Sequence, residues 1–462
     1  MAERNVPEVV AARYPRLYTA TRDILRLALQ LLRNRLAEPP QWPKVQATRI
    51  VFEENRSHTE NLLEEAPGSS INQIYSELEA SEPFRHATVE IEGLARDGRA
   101  IPIYWGASTY ISPILTSYLD TQRSLEFNED RFRHTYYQIE DYIGRDVTST
   151  RLYLELPTLT GTLDRVILSD THRIQRLDAP EINRLWRIMA PPSYPAYLIM
   201  RPPRWPALVS YCLQATVTYT KQNANQLGVL MNEEVIKVTR ALRLSAVGTG
   251  SVQLLTYEPI GLQPEVGRFG FGQTLIQGSY GYQLNDDLSE DIKSYWPAAY
   301  ELSTSLQKAP DKIPTHLRIS SLRFSGSFDK TTPEDQLIDY AIGFEALFTK
   351  ENDAISYRLP LRAAVFGGDT PEERQRIFAI VKAAYDLRSS LAHGQNQLLE
   401  FIKIRGNKVP VPEFLKSLST ILFLCVHRFA RCSKSNSKDV LLRAIDDAVI
   451  TIDRNALPEL WR

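Results

Sequence analysis

The chain has 462 residues, 43% of them hydrophobic and 24% charged, and a formal net charge of −1. At roughly 100–200 residues per domain this is a multidomain globular protein with enough apolar residues for several cores, and its near-neutral charge excludes a polycation built for nonspecific nucleic-acid binding while leaving room for basic patches. Its three cysteines, Cys212, Cys425 and Cys432, contain no C-x-x-C pair; that disfavours a disulfide framework or zinc cage, and Cys425 and Cys432, seven apart on one side of a predicted helix, read as buried thiols.

The N-terminus lacks a signal-type apolar core. The apolar run Ile24–Leu36 is broken by Arg26, Arg33 and Arg35, which predicts an amphipathic helix over 20–37 and not a membrane span. A cytoplasmic protein with no membrane partner is expected. Residues 55–83 are polar, with a short helical pattern near Ile71–Leu78. From 86 to 220 the texture turns to Val, Ile, Tyr and Thr. His86–Leu94, Ala100–Trp105, Arg151–Leu156 and Leu208–Tyr219 read as strands, followed by a helix from Asn232 to about Gly248 and a strand at Val252–Tyr257. Turn residues are dense from 258 to 284. No regular strand–helix alternation appears, so residues 1–300 are expected to form a mixed α/β region.

After residue 286 the pattern becomes helical: Ser289–Gln307 with a bend at Pro297, then Leu317–Phe328, Thr332–Phe348, Ile355–Phe366, a long helix to His393, Val411–Arg431 and Lys438–Val449. Two starts carry explicit signals. Thr332-Pro333-Glu334-Asp335 and Thr370-Pro371-Glu372-Glu373 each place a cap, a proline and acids in the first turn. Gly394 stops the long helix. The fold class expected is α+β, with an all-α bundle over 310–455.

The chemistry concentrates at the end of that long helix. Arg388 and His393 are five residues apart, which at about 100° per residue sets them about 140° apart on a regular helix. They converge if the helix unwinds at His393. A helix C-terminus favours a protonated imidazole, and arginine holds phosphate through paired hydrogen bonds. Together the two residues suit transition-state stabilisation and proton transfer in RNA cleavage by the neighbouring 2′-hydroxyl. On spacing alone, the ordinary reading is a histidine capping the last carbonyls and an arginine in a surface ion pair.

Three segments occur in order: Leu337–Phe348 (LIDYAIGFEALF), Tyr357–Ala364 (YRLPLRAA) and Tyr385–Gly394 (YDLRSSLAHG). This resembles the HEPN superfamily, specifically its Apea-like branch, over about residues 310–450. The resemblance implies a HEPN-like helical bundle, often dimeric, and a metal-independent endoribonuclease without cofactor, acting in antiphage defence or toxin-type growth arrest. It implies RNA as partner (tRNA among the candidates), a homodimer through the helical domain, and a protein or phage-derived trigger at the N-terminal region. Arg388 and His393 match the motif pair, Glu345 the acidic residue of the E-A-L element and Arg362 the basic residue of the R-A-A element. Ser389, Glu345 and Arg362 are placed as supporting residues, the alternative for Glu345 and Arg362 being a buried structural ion pair. Ser389 departs from the Asn, Asp or His common after the motif arginine; serine hydrogen-bonds but is no base near neutral pH. With one histidine per chain, two copies sharing one cleft would supply both acid and base. The alternative is a noncatalytic RNA- or nucleotide-binding module, or an interaction scaffold.

Between 351 and 434, thirteen Lys/Arg face eight Asp/Glu. Lys382, Lys403, Arg405 and Lys408 are the candidates for phosphate contact, the last three in a loop. Gly267–Gly272 and Gly248–Gly250 read as turns, Glu126, Asp130 and His134 as a solvated helix face rather than a metal site, and His427 as a core histidine.

Overall fold

Leu17, Ala20, Ile24, Leu25, Ala28 and Leu32 recur at helical spacing and are all buried, which is why Pro15–Arg35 forms a helix, α1, with its apolar stripe turned inward. The computed structural model of the protein describes residues 12–35, 71–97, 107–120, 125–156, 159–178, 211–220, 223, 226–245, 252–259, 282–350, 354–394, 398 and 400–451. The expected strand Ala100–Trp105 and the glycine turns at 248–250 and 267–272 lie outside them. Among the described residues the fold is mixed α+β, dominated by helices, and no helix is long and apolar enough to cross a membrane.

The chain divides into two compact units, each threaded from three segments. The first comprises residues 1–155, 176–233 and 254–272. Here α1 shares one core with α2 (Ile71–Ala80), α3 (Glu82–Arg96), α4 (Ala107–Asp120) and α5 (Glu129–Gly144). α3 corrects the strand expected at His86–Leu94. Its Thr88, Val89 and Ile91 suggest β structure, but Phe84, Ala87 and Ile91 are buried at helical spacing, and the Ser81 hydroxyl accepts the Phe84 N–H. β1 (Val147–Glu155) pairs antiparallel with β5 (Tyr211–Thr220), Val147 opposite Thr220 and Glu155 opposite Cys212. β6 (Gln253–Pro259) lies along the other edge of β1. All three strands were expected near these positions.

The second unit comprises residues 156–175, 234–253 and 273–462. It contains the expected 310–455 and adds earlier pieces. These are β2 (Leu159–Gly161), paired in parallel with β7 (Tyr282–Leu284), and an antiparallel hairpin of β3 (Arg165–Ile167) with β4 (His172–Arg176). The second half of α6 (Leu227–Arg243) and α7 (Asp286–Lys308) also belong here, α7 with Pro297 inside it. The remaining helices are α8 (Thr315–Ser327), α9 (Pro333–Phe348), α10 (Ile355–Gly367), α11 (Pro371–Ala392), α12 (Val411–Cys432) and α13 (Lys438–Thr451). α12 is the central rod: Phe414, Leu418, Leu422, Cys425, Val426 and Phe429 are completely buried, and it packs against α8, α9, α10 and α11. Gly343 lets α9 approach it; a Cβ there would meet Leu422 Cδ2 at 2.8 Å. Cys212, Cys425 and Cys432 are buried, and burial pushes the Cys425 thiol up to about 12. His427 is a core histidine, its Nε2 donating to the Leu244 carbonyl at 2.5 Å. Burial lowers its pKa to about 4.

One element departs from the all-α expectation. Residues 403–408, expected as a loop, form a hairpin of β8 (Phe401–Ile404) and β9 (Asn407–Pro410). Its turn is Arg405-Gly406, with φ of 50° and 84°, the doubly left-handed geometry of a type I′ turn. Arginine is a poor advertisement for such a turn, which usually takes Asn or Asp before Gly.

Candidate functional site at the end of α11

α11 begins with a complete capping box. The Glu373 N–H donates to Thr370 Oγ1 at 3.1 Å, and the Thr370 N–H donates back to Glu373 Oε2 at 3.0 Å. The Thr370 N–H and the Asp369 N–H, both donating to Glu373 Oε2, hold the Glu373 carboxyl below its ordinary pKa. Ile377, Ile380, Val381 and Ala384 form the buried stripe, and no later residue of the helix is buried. The last two turns, Tyr385–Ala392, therefore lie at the edge of the core, and Arg388 and Ser389 are half-exposed on them. His393 is the C-cap, with φ −92° and ψ 6°. Its N–H donates to the Ser389 carbonyl at 3.2 Å, and the Gly394 N–H donates to the Leu391 carbonyl at 3.0 Å. Gly394 sits at φ +68°, the left-handed stop expected there. The imidazole is exposed, and among the described residues no hydrogen bond engages it, so it does not cap the carbonyls of its own helix.

Arg388 Nη2 lies 3.5 Å from Glu345 Oε2, the two side chains 32% and 22% exposed. Burial raises the Glu345 pKa and the Arg388 charge pulls it back, leaving a carboxyl in competition between desolvation and its cation. Glu345 comes from α9, which packs on α11. At 3.5 Å this single contact is looser than a paired charge-assisted hydrogen bond.

Arg362 does not join this group and does not pair with Glu345. It is 2% exposed, and its Nε and Nη2 donate to Asp446 Oδ1 and Oδ2 at 2.8 and 2.9 Å, while Nη1 donates to the Phe348 carbonyl at 2.7 Å. It ties α10 to the end of α9 and to α13. Lys382 is occupied by Asp386, with Nζ–Oδ distances of 2.5 and 2.6 Å. Arg405 donates to Gln375 Oε1 at 3.3 Å. Lys403 and Lys408 stand directly opposite each other on β8 and β9, both exposed. In the first unit, Glu126 pairs with Arg33 at 3.0 Å and His134 is exposed, as a solvated face requires.

The sequence does not advertise a second polar cluster, which lies inside the second unit. The buried Glu234 carboxylate accepts from His172 Nε2 at 2.9 Å and Tyr300 Oη at 2.7 Å, and is paired with Lys237 Nζ. Burial alone would raise the Glu234 pKa, but these three donors outweigh it and hold the carboxyl at about 2. His172 Nδ1 faces the hydroxyls of Ser169 and Thr171 at 3.0 and 2.9 Å. Both carboxylate oxygens are occupied, so the cluster acts as an anchor joining β4, α6 and α7. Its members come from three distant segments, and no local spacing could reveal them.

No protein-family model, curated protein or solved structure matches the chain.

Proposed function

We propose that the protein is a metal-independent endoribonuclease of HEPN type whose site is the C-terminal end of α11. The carrying observation is that the last turns of α11 present a half-exposed arginine and an exposed histidine: Arg388 held by Glu345 at 3.5 Å, and His393 at the C-cap. In this reading the ribose 2′-oxygen attacks the adjacent phosphorus as the bond to the 5′-oxygen breaks. Arg388 stabilises the charge gathering on the non-bridging oxygens. A protonated His393 donates to the departing 5′-oxygen, and the unprotonated His393 of a second copy takes the 2′-hydroxyl proton. The products are a 2′,3′-cyclic phosphate and a 5′-hydroxyl. Glu345 positions Arg388, and Arg362 maintains the bundle.

The half-satisfied Arg388–Glu345 pair also suits a second reading, a noncatalytic module in which Arg388 only binds a phosphate. Cleavage assays without added metal separate the two. On the first reading, Arg388→Ala and His393→Ala each lose about 100-fold or more of the rate, wild-type products carry cyclic phosphate ends, and active material sediments as a dimer. Cleavage surviving both substitutions would sink the ribonuclease reading, and an active monomer would remove the composite site. A role in antiphage defence or growth arrest rests on the family resemblance and is tested by whether the same two substitutions relieve toxicity on expression.

A further inference from the structure

The β8–β9 hairpin carries its charge on one side. Lys403 is opposite Lys408 and Phe401 opposite Pro410, and residues directly opposite across an antiparallel pair share a face. Ile402 is 6% exposed on the other face, where the hairpin packs on α11 and α12. The outward face therefore presents Phe401, 46% exposed, beside two exposed lysines, with Arg405 at the tip. Residues 401–410 contain no carboxylate; Glu400 and Glu413 flank only the base. Among the described residues neither lysine takes part in an ion pair. Like charges directly opposite each other cost stability, so this arrangement does nothing for the fold. An exposed aromatic flanked by unpaired cations is what a strand of unpaired nucleotides needs: a platform for a base and charges for its phosphates.

We infer that the outward face of β8–β9 binds single-stranded RNA, Phe401 stacking on a base and Lys403 and Lys408 holding neighbouring phosphates. The identity of the strand rests on the ribonuclease reading. Arg405 bonds Gln375, which precedes His393 by about five turns of helix, or roughly 27 Å at 1.5 Å per residue. The tip of the hairpin thus lies well away from the bond to be broken, and the hairpin acts on affinity and on the minimum substrate length, not on the chemical step.

The test is fluorescence anisotropy of a short labelled single-stranded RNA oligonucleotide and of the matching duplex, in a His393→Ala background so that cleavage does not erase the signal. Phe401→Ala should weaken single-strand binding about tenfold. The Lys403→Gln/Lys408→Gln double variant should lower the slope of log affinity against log salt by about 1.4, two phosphates at about 0.7 each. In a His393-intact protein, both should raise KM with little change in kcat. All three side chains are exposed, and unchanged circular dichroism and melting curves confirm that the variants fold. Unaltered affinity and salt slope in both variants would overturn the inference, as would duplex bound as tightly as single strand. If the hairpin variants lose RNA binding but wild type cleaves nothing, the inference stands and the ribonuclease reading falls. If cleavage depends on Arg388 while the hairpin variants bind normally, the reverse holds.

Discussion

Arg362 and Arg388 sit on neighbouring helices and meet carboxylates in opposite ways. Arg362 is enclosed, bonded at both ends of its fork to Asp446 and to a backbone carbonyl. Arg388 is one-third exposed and reaches Glu345 through a single 3.5 Å contact. The difference follows from where each helix stops burying side chains. α10 buries residues up to its last position, Gly367, whereas α11 buries none after Ala384. A guanidinium enclosed and bonded through all three of its nitrogens holds helices together; one with donors to spare is able to hold something else.

The largest expected effect breaks the enclosed member. Asp446→Ala removes the carboxylate that accepts from Nε and Nη2 of the enclosed Arg362 and should cost about 3 kcal/mol in urea denaturation. A loss below 1 kcal/mol would mean that Arg362 finds water or another acceptor. Acid provides the next effect. His427 keeps a folded pKa of about 4 against an ordinary 6.5, so below pH 6.5 the unfolded chain takes up a proton that the folded chain refuses until about 4. Stability is therefore lost as pH falls across that window, by about 3 kcal/mol, and His427→Gln should flatten the profile. Glu345 works in the opposite sense: its raised pKa makes ionisation costly to the fold, so its contribution falls as pH rises through the ordinary glutamate range. The smallest effect belongs to the open arginine. Arg388→Ala should change stability by about 0–1 kcal/mol, and a loss as large as that of Asp446→Ala would mean that the two arginines are alike after all.

How much of this was legible in the sequence depended on whether the cause was local. α11 and its cap are written within Thr370–Glu373, and its stop in Gly394. α9 is announced in the same way by Thr332 and the residues that follow. β1 and β5 declare themselves by composition. The resemblance placed Glu345 and Arg388 among the candidate residues, but their contact across two helices is a fact of packing. Asp446 could not be assigned to Arg362 from 84 positions away. α4, and all of α5 beyond its polar face, went unanticipated because Tyr, Thr and Ile serve a helix core as readily as a sheet, and propensity yields to burial. The hairpin escaped because Arg405 occupies a backbone conformation that more often signals itself through Asn, Asp or Gly.

The threading of the second unit has a consequence in time. Arg388 and Glu345 lie close together in the chain, yet the bundle that holds them is locked by Asp446, and the Glu234 anchor draws His172 from much earlier. As residues emerge one by one from the ribosome, domains tend to fold as units in the order they appear. A unit stitched from three segments cannot do so until the last of them is released, and its long-range contacts also slow its assembly. Whatever chemistry the end of α11 performs is therefore withheld from the nascent chain and begins only once α13 has docked.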